Sequence, residues 1–401
     1  MSNLMPHRYA RKAMITFSPS ASDLLEEISD LRKEAEVLSS KERVRIAISH
    51  QEPDRVPIDF WATNEVKEDL ETYFRYDYNA LLDILGVDFR VVHGPSYVGL
   101  ELEKHPDGTV SDLWGVRRCT VPYGQGDRKG TYKELAYSPL EKMKTVKEIE
   151  SYSGWPSADW WDYSDVAADC RKFPDKCVVF AGDRLDRTAQ LKTAMYLRGV
   201  EQILVDLVLN PAIVECILEH VTSYYLDYNH RVFTAAQGEV DIFMMGDDFG
   251  MQTGLLMRMD SWECYFESGF RNFIRLAHDH GVVVMHHTCG SVVPLIPKFI
   301  DAGLDILQSL QPRAAGMDLA SLKRNYGKEL AFHGSVDIQK TMPFGTKEEI
   351  RAEVKERMHA GKPGGGFIIC TAHNIQRDVP IENIISLLSA YHEFGVCSNS
   401  P

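Results

Sequence analysis

The sequence lacks the features that would assign it to a membrane, to a disulfide framework or to nucleic acid. Among its 401 residues, no apolar run reaches the roughly 18 residues that a transmembrane helix needs. The eight cysteines are scattered without a C-x-x-C pair, which is typical of free thiols in a reducing cytoplasm. The net charge of −14 argues against binding to nucleic acid or to an anionic membrane surface. Residues 1–20 carry basic side chains without the apolar core of a signal peptide, so we expect a cytoplasmic protein.

Apolar periodicity divides the chain into an N-terminal helical part and a larger repeating part. Residues 22–49 show helical spacing, with charged residues between the apolar ones. From residue 177 onwards, short apolar runs alternate with amphipathic stretches, which predicts parallel strands connected by helices. We therefore predict a helical extension over 1–40 and a barrel domain over 41–396. The residues at about 94–176 are expected to form an excursion that covers the open end of the barrel. It contains a hairpin that turns at 106–108 and reaches residue 121, and it is irregular from residue 122 onwards.

Eight short apolar runs fit β-strands, which favours a distorted α/β barrel of the (β/α)8 TIM type over an open sheet. The runs lie at 54–60, 88–92, 177–181, 240–245, 282–286, 305–307, 330–333 and 366–370. Helices are predicted near 189–196, 200–209, 211–236, 261–279, 294–302, 319–326, 347–359 and 381–394. In such barrels the functional side chains lie at the carboxyl ends of the strands.

Polar residues follow several of the predicted strands and would therefore meet at one end of the barrel. Four are expected to contact substrate: His93, Asp183, Gln308 and His333. For the last two, a structural hydrogen bond is an equally good interpretation. Asp247 and Asp248 are candidate catalytic side chains, and the alternative is that they cap a helix.

A His-x-Cys pair at the end of one predicted strand suggests a metal site. His287 and Cys289 are two residues apart in an extended segment, so their side chains point to the same side. Cys370 ends another apolar run. One His and two Cys can hold zinc and leave a position open, as catalytic rather than structural zinc sites do. We predict that these three residues bind zinc and that His286 faces the opposite side of its strand.

Several segments resemble the uroporphyrinogen decarboxylase superfamily. They are K-E-R at 41–43 with P-D-R-V-P at 53–57, G-D-D-F-G-M-Q at 246–252, F-H-G-S-V-D at 332–337, P-G-G-G at 363–366 and P-I-E-N-I at 380–384. The resemblance extends from about residue 40 to residue 395 and implies the distorted (β/α)8 barrel of that family. The His-x-Cys pair and the distant Cys are similar to the zinc-dependent branch of the family, whose members are methyltransferases that work with corrinoid proteins.

The resemblance implies an enzyme that moves a methyl group between a small methylated substrate or thiol and the cobalt of a corrinoid (cobalamin). The corrinoid would be carried by a separate protein, because the chain has no Asp-x-His-x-x-Gly segment. The alternative within the family is a metal-free decarboxylase of a carboxylated ring compound. Residues 60–66, where family decarboxylases carry an Arg-rich segment, contain no Arg. A non-catalytic zinc- or corrinoid-binding protein is the alternative from another class.

Overall fold

The computed structural model describes residues 21–123, 129–182 and 187–397. The strands in this part of the chain are Phe89–Val92 (β1), Ser96–Tyr97 (β2), Val110–Ser111 (β3), Arg117–Tyr123 (β4), Gly130–Tyr137 (β5), Trp161–Asp162 (β6), Cys177–Phe180 (β7), Ile242–Gly246 (β8), Val283–His287 (β9), Ile306–Leu310 (β10), Ala331–Val336 (β11) and Phe367–Thr371 (β12). Strands β1 and β7 to β12 form one parallel sheet in which the strands follow one another in chain order. The seven predicted strands from 88–92 to 366–370 are therefore confirmed, with shifts at their ends.

Helices surround this curled sheet, which makes the fold an α/β barrel as predicted. They are Ala21–Ala35 (α1), Ser40–Ile48 (α2), Asn64–Phe74 (α3), Tyr78–Ile84 (α4), Val146–Glu150 (α5), Val166–Cys170 (α6), Leu191–Arg198 (α7), Val200–Leu209 (α8), Pro211–Ala236 (α9), Met259–Tyr265 (α10), Glu267–Asp279 (α11), Ile296–Asp301 (α12), Leu319–Tyr326 (α13), Thr341–Phe344 (α14), Lys347–Gly361 (α15) and Ile381–Gly395 (α16). The stretch predicted as one helix over 261–279 is two, since the backbone leaves the helical φ range at Phe266. None of the helices in the described residues is long and apolar enough to cross a bilayer.

An extended segment between β12 and β1 completes the wall, where a first strand was predicted at 54–60. Asp59 N–H donates to Ile369 O (3.0 Å), and Ile369 N–H donates to Pro57 O (3.0 Å). On the other side, Asp88 N–H donates to Ile58 O (2.9 Å). The segment forms isolated bridges rather than a regular strand. Because Pro57 has no N–H, it interrupts the ladder of hydrogen bonds. We call residues 54–63 the closing segment.

A buried ion network fixes the closing segment to the start of β1. The Asp88 carboxylate is fully buried and accepts from Arg43 Nη1 (2.8 Å), Arg55 Nη1 (2.7 Å), Arg55 Nη2 (3.2 Å) and Ile58 N–H (2.7 Å). Arg43 also pairs with Asp54 through its Nε (2.6 Å). Although burial alone would raise the pKa of Asp88, the two guanidinium groups hold it below its ordinary value.

Helix α1 packs against the last helix, α16, and against α3 and α4. Its apolar stripe buries Leu25 and Ile28. Beyond α1, Glu36 accepts from Arg55 Nε (2.8 Å), so this part of the chain is also joined to the closing segment. Buried packing of this kind stabilises a short helix that propensity alone would not hold.

The excursion between β1 and β7 is more regular than the sequence suggested. Strands β3, β4 and β5 form an antiparallel sheet: the β3–β4 pair agrees with the predicted hairpin, whereas β5 lies where an irregular course was expected. The sheet contacts residues near the carboxyl ends of the barrel strands. Arg118 lies over the ring of Tyr196 on α7 (4.5 Å to the centroid), and Arg377 Nη1 donates to Lys129 O (3.4 Å). These contacts place the sheet beside the mouth of the barrel.

Candidate active site

Three predicted site residues occupy equivalent positions on neighbouring strands. His287 is paired in register with Gln308 between β9 and β10, and Gln308 is paired with His333 between β10 and β11. All three side chains are buried. Parallel strands in register therefore place the three side chains in one row across the carboxyl end of the sheet.

Gln308 determines which nitrogen of His287 is available. Its Oε1 is hydrogen-bonded to His287 Nδ1, and an amide oxygen only accepts, so Nδ1 carries the proton. The lone pair is therefore on Nε2, which lies 3.4 Å from Cys289 Sγ and 3.5 Å from Asp248 Oδ1. Burial, with the positive charge of Arg187, holds the pKa of His287 well below its ordinary value. The imidazole is thus neutral and oriented as a metal ligand requires.

The described residues form two groups of side chains that could hold a metal ion. In the first, the ligand atoms of His287, Cys289 and His373 all lie within 4.8 Å of one another. In the second, the same is true of Asp59, His333 and Cys370. The structure therefore brings His287 and Cys289 together as predicted, but it places Cys370 in the second group.

The second group is fully buried and internally hydrogen-bonded. Asp59 Oδ2 lies 2.8 Å from His333 Nε2, and Cys370 Sγ lies 3.9 Å from Thr371 Oγ1. Burial, and next the carboxylate of Asp59, raises the pKa of Cys370 well above its ordinary value. Without a cation this thiol is therefore protonated.

The indole of Trp61, on the closing segment, lies against one histidine of each group. It stacks on His287 with 6.1 Å between ring centroids and an angle of 11°, and it tilts against His333 at 6.0 Å. Trp61 Nε1 donates to Asp59 Oδ2 (2.8 Å). The ring is an apolar wall that shields His287 from water on one side.

The two aspartates after β8 have different roles. Asp247 is buried and accepts from the N–H groups of Gln190 (2.7 Å), Leu191 (3.1 Å) and Lys192 (2.7 Å), at the start of α7. Burial raises its pKa to about 7, against the effect of these three hydrogen bonds. Asp248 is about half exposed, faces His287, and accepts from Cys289 N–H (3.0 Å). The structure therefore places Asp247 as a helix cap and Asp248 at the candidate site.

The remaining predicted residues lie elsewhere. His93 follows β1 with an exposed side chain and belongs to neither group. Asp183 lies outside the described residues. His286 is buried against Phe270 (4.9 Å between centroids) and Phe299 (5.3 Å), which agrees with its predicted orientation away from His287.

Residues that the sequence interpretation missed are His373, Asp59 and Trp61. All three follow or belong to strand-like runs, so the rule that function lies at strand ends could have selected them. Two basic residues also surround the site. The positive charges of Arg187 and Lys192 add to burial in lowering the pKa of His287 and of His373. The site therefore combines a neutral nitrogen–sulfur donor set with a positively charged flank.

The sequence and fold are similar to those of known proteins. The family model for uroporphyrinogen decarboxylase (URO-D) matches residues 188–394, just over half of the chain. The uroporphyrinogen decarboxylase of Pseudoalteromonas translucida is 29% identical over 148 residues, which are 35% of this chain and 41% of that protein. The enzyme of Legionella pneumophila is 35% identical over 78 residues, 20% of this chain and 22% of the relative. The chain thus matches less than half the length of these curated relatives.

The barrel also resembles a solved structure. A methyltransferase from Methanosarcina mazei superposes with a TM-score of 0.61 at 18% identity, covering 89% of this chain and 99% of that one. At this identity the likeness shows that the fold is shared. The match to the family model, together with this fold, shows that the chain belongs to the uroporphyrinogen decarboxylase family.

Proposed function

We propose that the chain is a zinc-dependent methyltransferase that moves a methyl group between a small methylated substrate or thiol and the cobalt of a corrinoid held by a partner protein. The observation that carries the proposal is the pair of His287 Nε2 and Cys289 Sγ, 3.4 Å apart at the mouth of a family barrel. Nitrogen and sulfur donors of this kind suit zinc. The eight free cysteines fit the reducing cytoplasm proposed as its location.

The donor set and its surroundings fit zinc without rearrangement of the barrel. His287 and Cys289 would be two ligands, and the end of β12 supplies the third from Cys370 or His373. Zinc with an open position supplies a Lewis acid that lowers the pKa of a bound thiol or polarises a methyl donor. Gln308 holds the proton on His287 Nδ1. Asp248 accepts a hydrogen bond from the backbone N–H of Cys289 and so orients that ligand.

The surroundings also favour a negatively charged or electron-rich reactant. Arg187 and Lys192 bring positive charge close enough to lower the pKa of His287. Trp61 shields the same imidazole from water. Burial, and next the carboxylate of Asp248, raises the pKa of the Cys289 thiol to about 12, so a thiolate at this site would depend on the charge of the bound zinc.

A metal-free decarboxylase is the second candidate, and one observation favours it. Asp59 and His333 form a fully buried pair with 2.8 Å between Oδ2 and Nε2, at the carboxyl end of the barrel. Such a pair is suited to delivering a proton to a carbanion formed by loss of carbon dioxide. The curated relatives with sequence similarity are also decarboxylases.

Metal analysis and a methyl-transfer assay separate the candidates. The purified full-length chain is expected to contain about one zinc per chain and to transfer a methyl group between methylcobalamin and an added thiol. Cys289→Ala should lose the metal and the transfer together, because a site with three protein ligands cannot spare one. Cys264→Ala is the matched control, since Cys264 is exposed on α10. A metal-free protein that decarboxylates uroporphyrinogen would refute the proposal in favour of the second candidate.

A further inference from the structure

The end of β12 supplies two candidate ligands that the sequence cannot distinguish. Cys370 belongs to β12, and His373 follows it by three residues. The ligand atom of His373 lies within 4.8 Å of those of both His287 and Cys289. Cys370 instead meets this criterion with Asp59 and His333. The choice of third ligand can therefore be made from geometry.

Tetrahedral zinc requires short spacings between its donors. With Zn–N near 2.0–2.1 Å and Zn–S near 2.3 Å, neighbouring donor atoms lie roughly 3.3–3.6 Å apart. The 3.4 Å between His287 Nε2 and Cys289 Sγ already has this value. The His373 nitrogen lies within 4.8 Å of both atoms, so it is placed to act as a third donor beside this pair.

The backbone holds His373 at the mouth of the barrel. Thr371 Oγ1 donates to His373 O (2.7 Å), and Ala372 N–H donates to Val336 O (2.8 Å). Two residues further on, Ile375 N–H donates to Trp61 O (2.8 Å). The turn that carries His373 is thus fixed on both sides to the barrel wall. Its ring lies 5.8 Å from that of His287, and the residue is partly exposed.

Cys370 has a different environment. It is 1% exposed, and its sulfur belongs to the group with Asp59 and His333. The indole of Trp61 lies against both His287 and His333. To join His287 and Cys289, the sulfur of Cys370 would have to leave its buried position beside Asp59 and His333.

We propose that His373 is the third protein ligand of the zinc, with His287 and Cys289, and that Cys370 lies outside the coordination sphere. The inference rests on the proposed function, since it assumes a zinc site at the barrel mouth. The predicted set of one His and two Cys is thereby replaced by two His and one Cys. A divalent ion with one thiolate and two neutral imidazoles keeps one net positive charge, so an anionic thiolate or carboxylate is the favoured fourth ligand.

Cobalt substitution counts the thiolates directly. The metal-stripped full-length protein is reloaded with Co2+, and the thiolate-to-cobalt charge-transfer band in the near ultraviolet is measured per bound metal. One thiolate is expected, that of Cys289. The band per bound cobalt should therefore be unchanged in Cys370→Ala, and any cobalt still bound by Cys289→Ala should show no such band. This measurement on the wild-type protein and Cys370→Ala does not depend on the folding of a His373 variant.

Metal affinity supplies the second readout. His373→Ala should weaken zinc binding by more than the roughly 10- to 100-fold that loss of an outer-shell partner costs. His359→Ala is the matched control, because His359 is exposed on α15. A two-thiolate band that halves in Cys370→Ala, or full zinc affinity in His373→Ala, would overturn the assignment while leaving a zinc enzyme in place. Failure of the wild-type protein to bind zinc at all would instead remove the proposed function itself.

Discussion

Replacing Asp88 by Asn should destabilise the barrel by about 3 kcal/mol, because the carboxylate accepts four hydrogen bonds and the amide keeps one acceptor oxygen. Two of the four bonds are lost, and charge-assisted bonds are worth about 1.5 kcal/mol or more each. This value lies at the lower end of the ~3–5 kcal/mol range for breaking a buried ion pair. The reason is that Asp54 and Glu36 still neutralise Arg43 and Arg55.

Urea denaturation at pH 7, followed by circular dichroism, measures this loss. Asp30→Asn is the matched control, since the Asp30 side chain is 66% exposed and that of its partner Lys33 is 71% exposed. An exposed pair contributes at most about 1 kcal/mol. Equal losses of stability in the two variants would refute the reasoning that burial increases the contribution of the Asp88 network to stability.

The pH dependence of the Asp88 effect has a definite sign. The folded pKa lies below the ordinary value of 3.8, so the unfolded chain takes up the proton first as pH falls. The stabilisation is fully present above about pH 4 and is lost as pH falls further, towards the folded pKa. The difference between wild type and Asp88→Asn should therefore be constant from pH 8 to 5 and shrink below about pH 4. A difference that grows on acidification would contradict the assignment.

Three other variants test separate parts of the site. Gln308→Ala should lower zinc affinity roughly 10- to 100-fold, because the hydrogen bond that holds the proton on His287 Nδ1 is lost. Competition with a chelator measures this change. His286→Ala should keep the metal and lose about 2 kcal/mol or more of stability, because a buried aromatic-lined cavity remains; metal loss would show that this side chain faces the site. Asp247→Asn should cost stability most at about pH 4 and below, and least above pH 7, because a folded pKa raised to about 7 makes the wild type lose stability as pH rises from about 4 to 7. A difference independent of pH would show that Asp247 does not titrate in this range.

The strands of the barrel were predictable because each is an apolar run bounded by polar residues. Val283–His287 is such a run, and its His-x-Cys end follows from the alternation of side chains. The closing segment was predicted as a strand, and only its hydrogen bonds reveal how Pro57 breaks the ladder. The proposed third ligand was not predictable, since Cys370 and His373 share one strand end and differ in which neighbour they approach. Asp59 and His333, which are 274 residues apart in sequence, meet only through closure of the barrel.

The closing segment also determines when the barrel can form during synthesis. Its partners include Ile369, Gly395 and the N–H of Cys397. The hydrogen bonds of the closing segment can therefore form only after residues 369–397 have been synthesised. Contacts of such long sequence separation form late, because a large loop must be closed first. On the ribosome the parallel sheet can grow strand by strand, while its two edges stay open until β12 and α16 have emerged. Until then the exposed edges of β1 and the growing sheet are the surfaces that a chaperone would have to protect from aggregation.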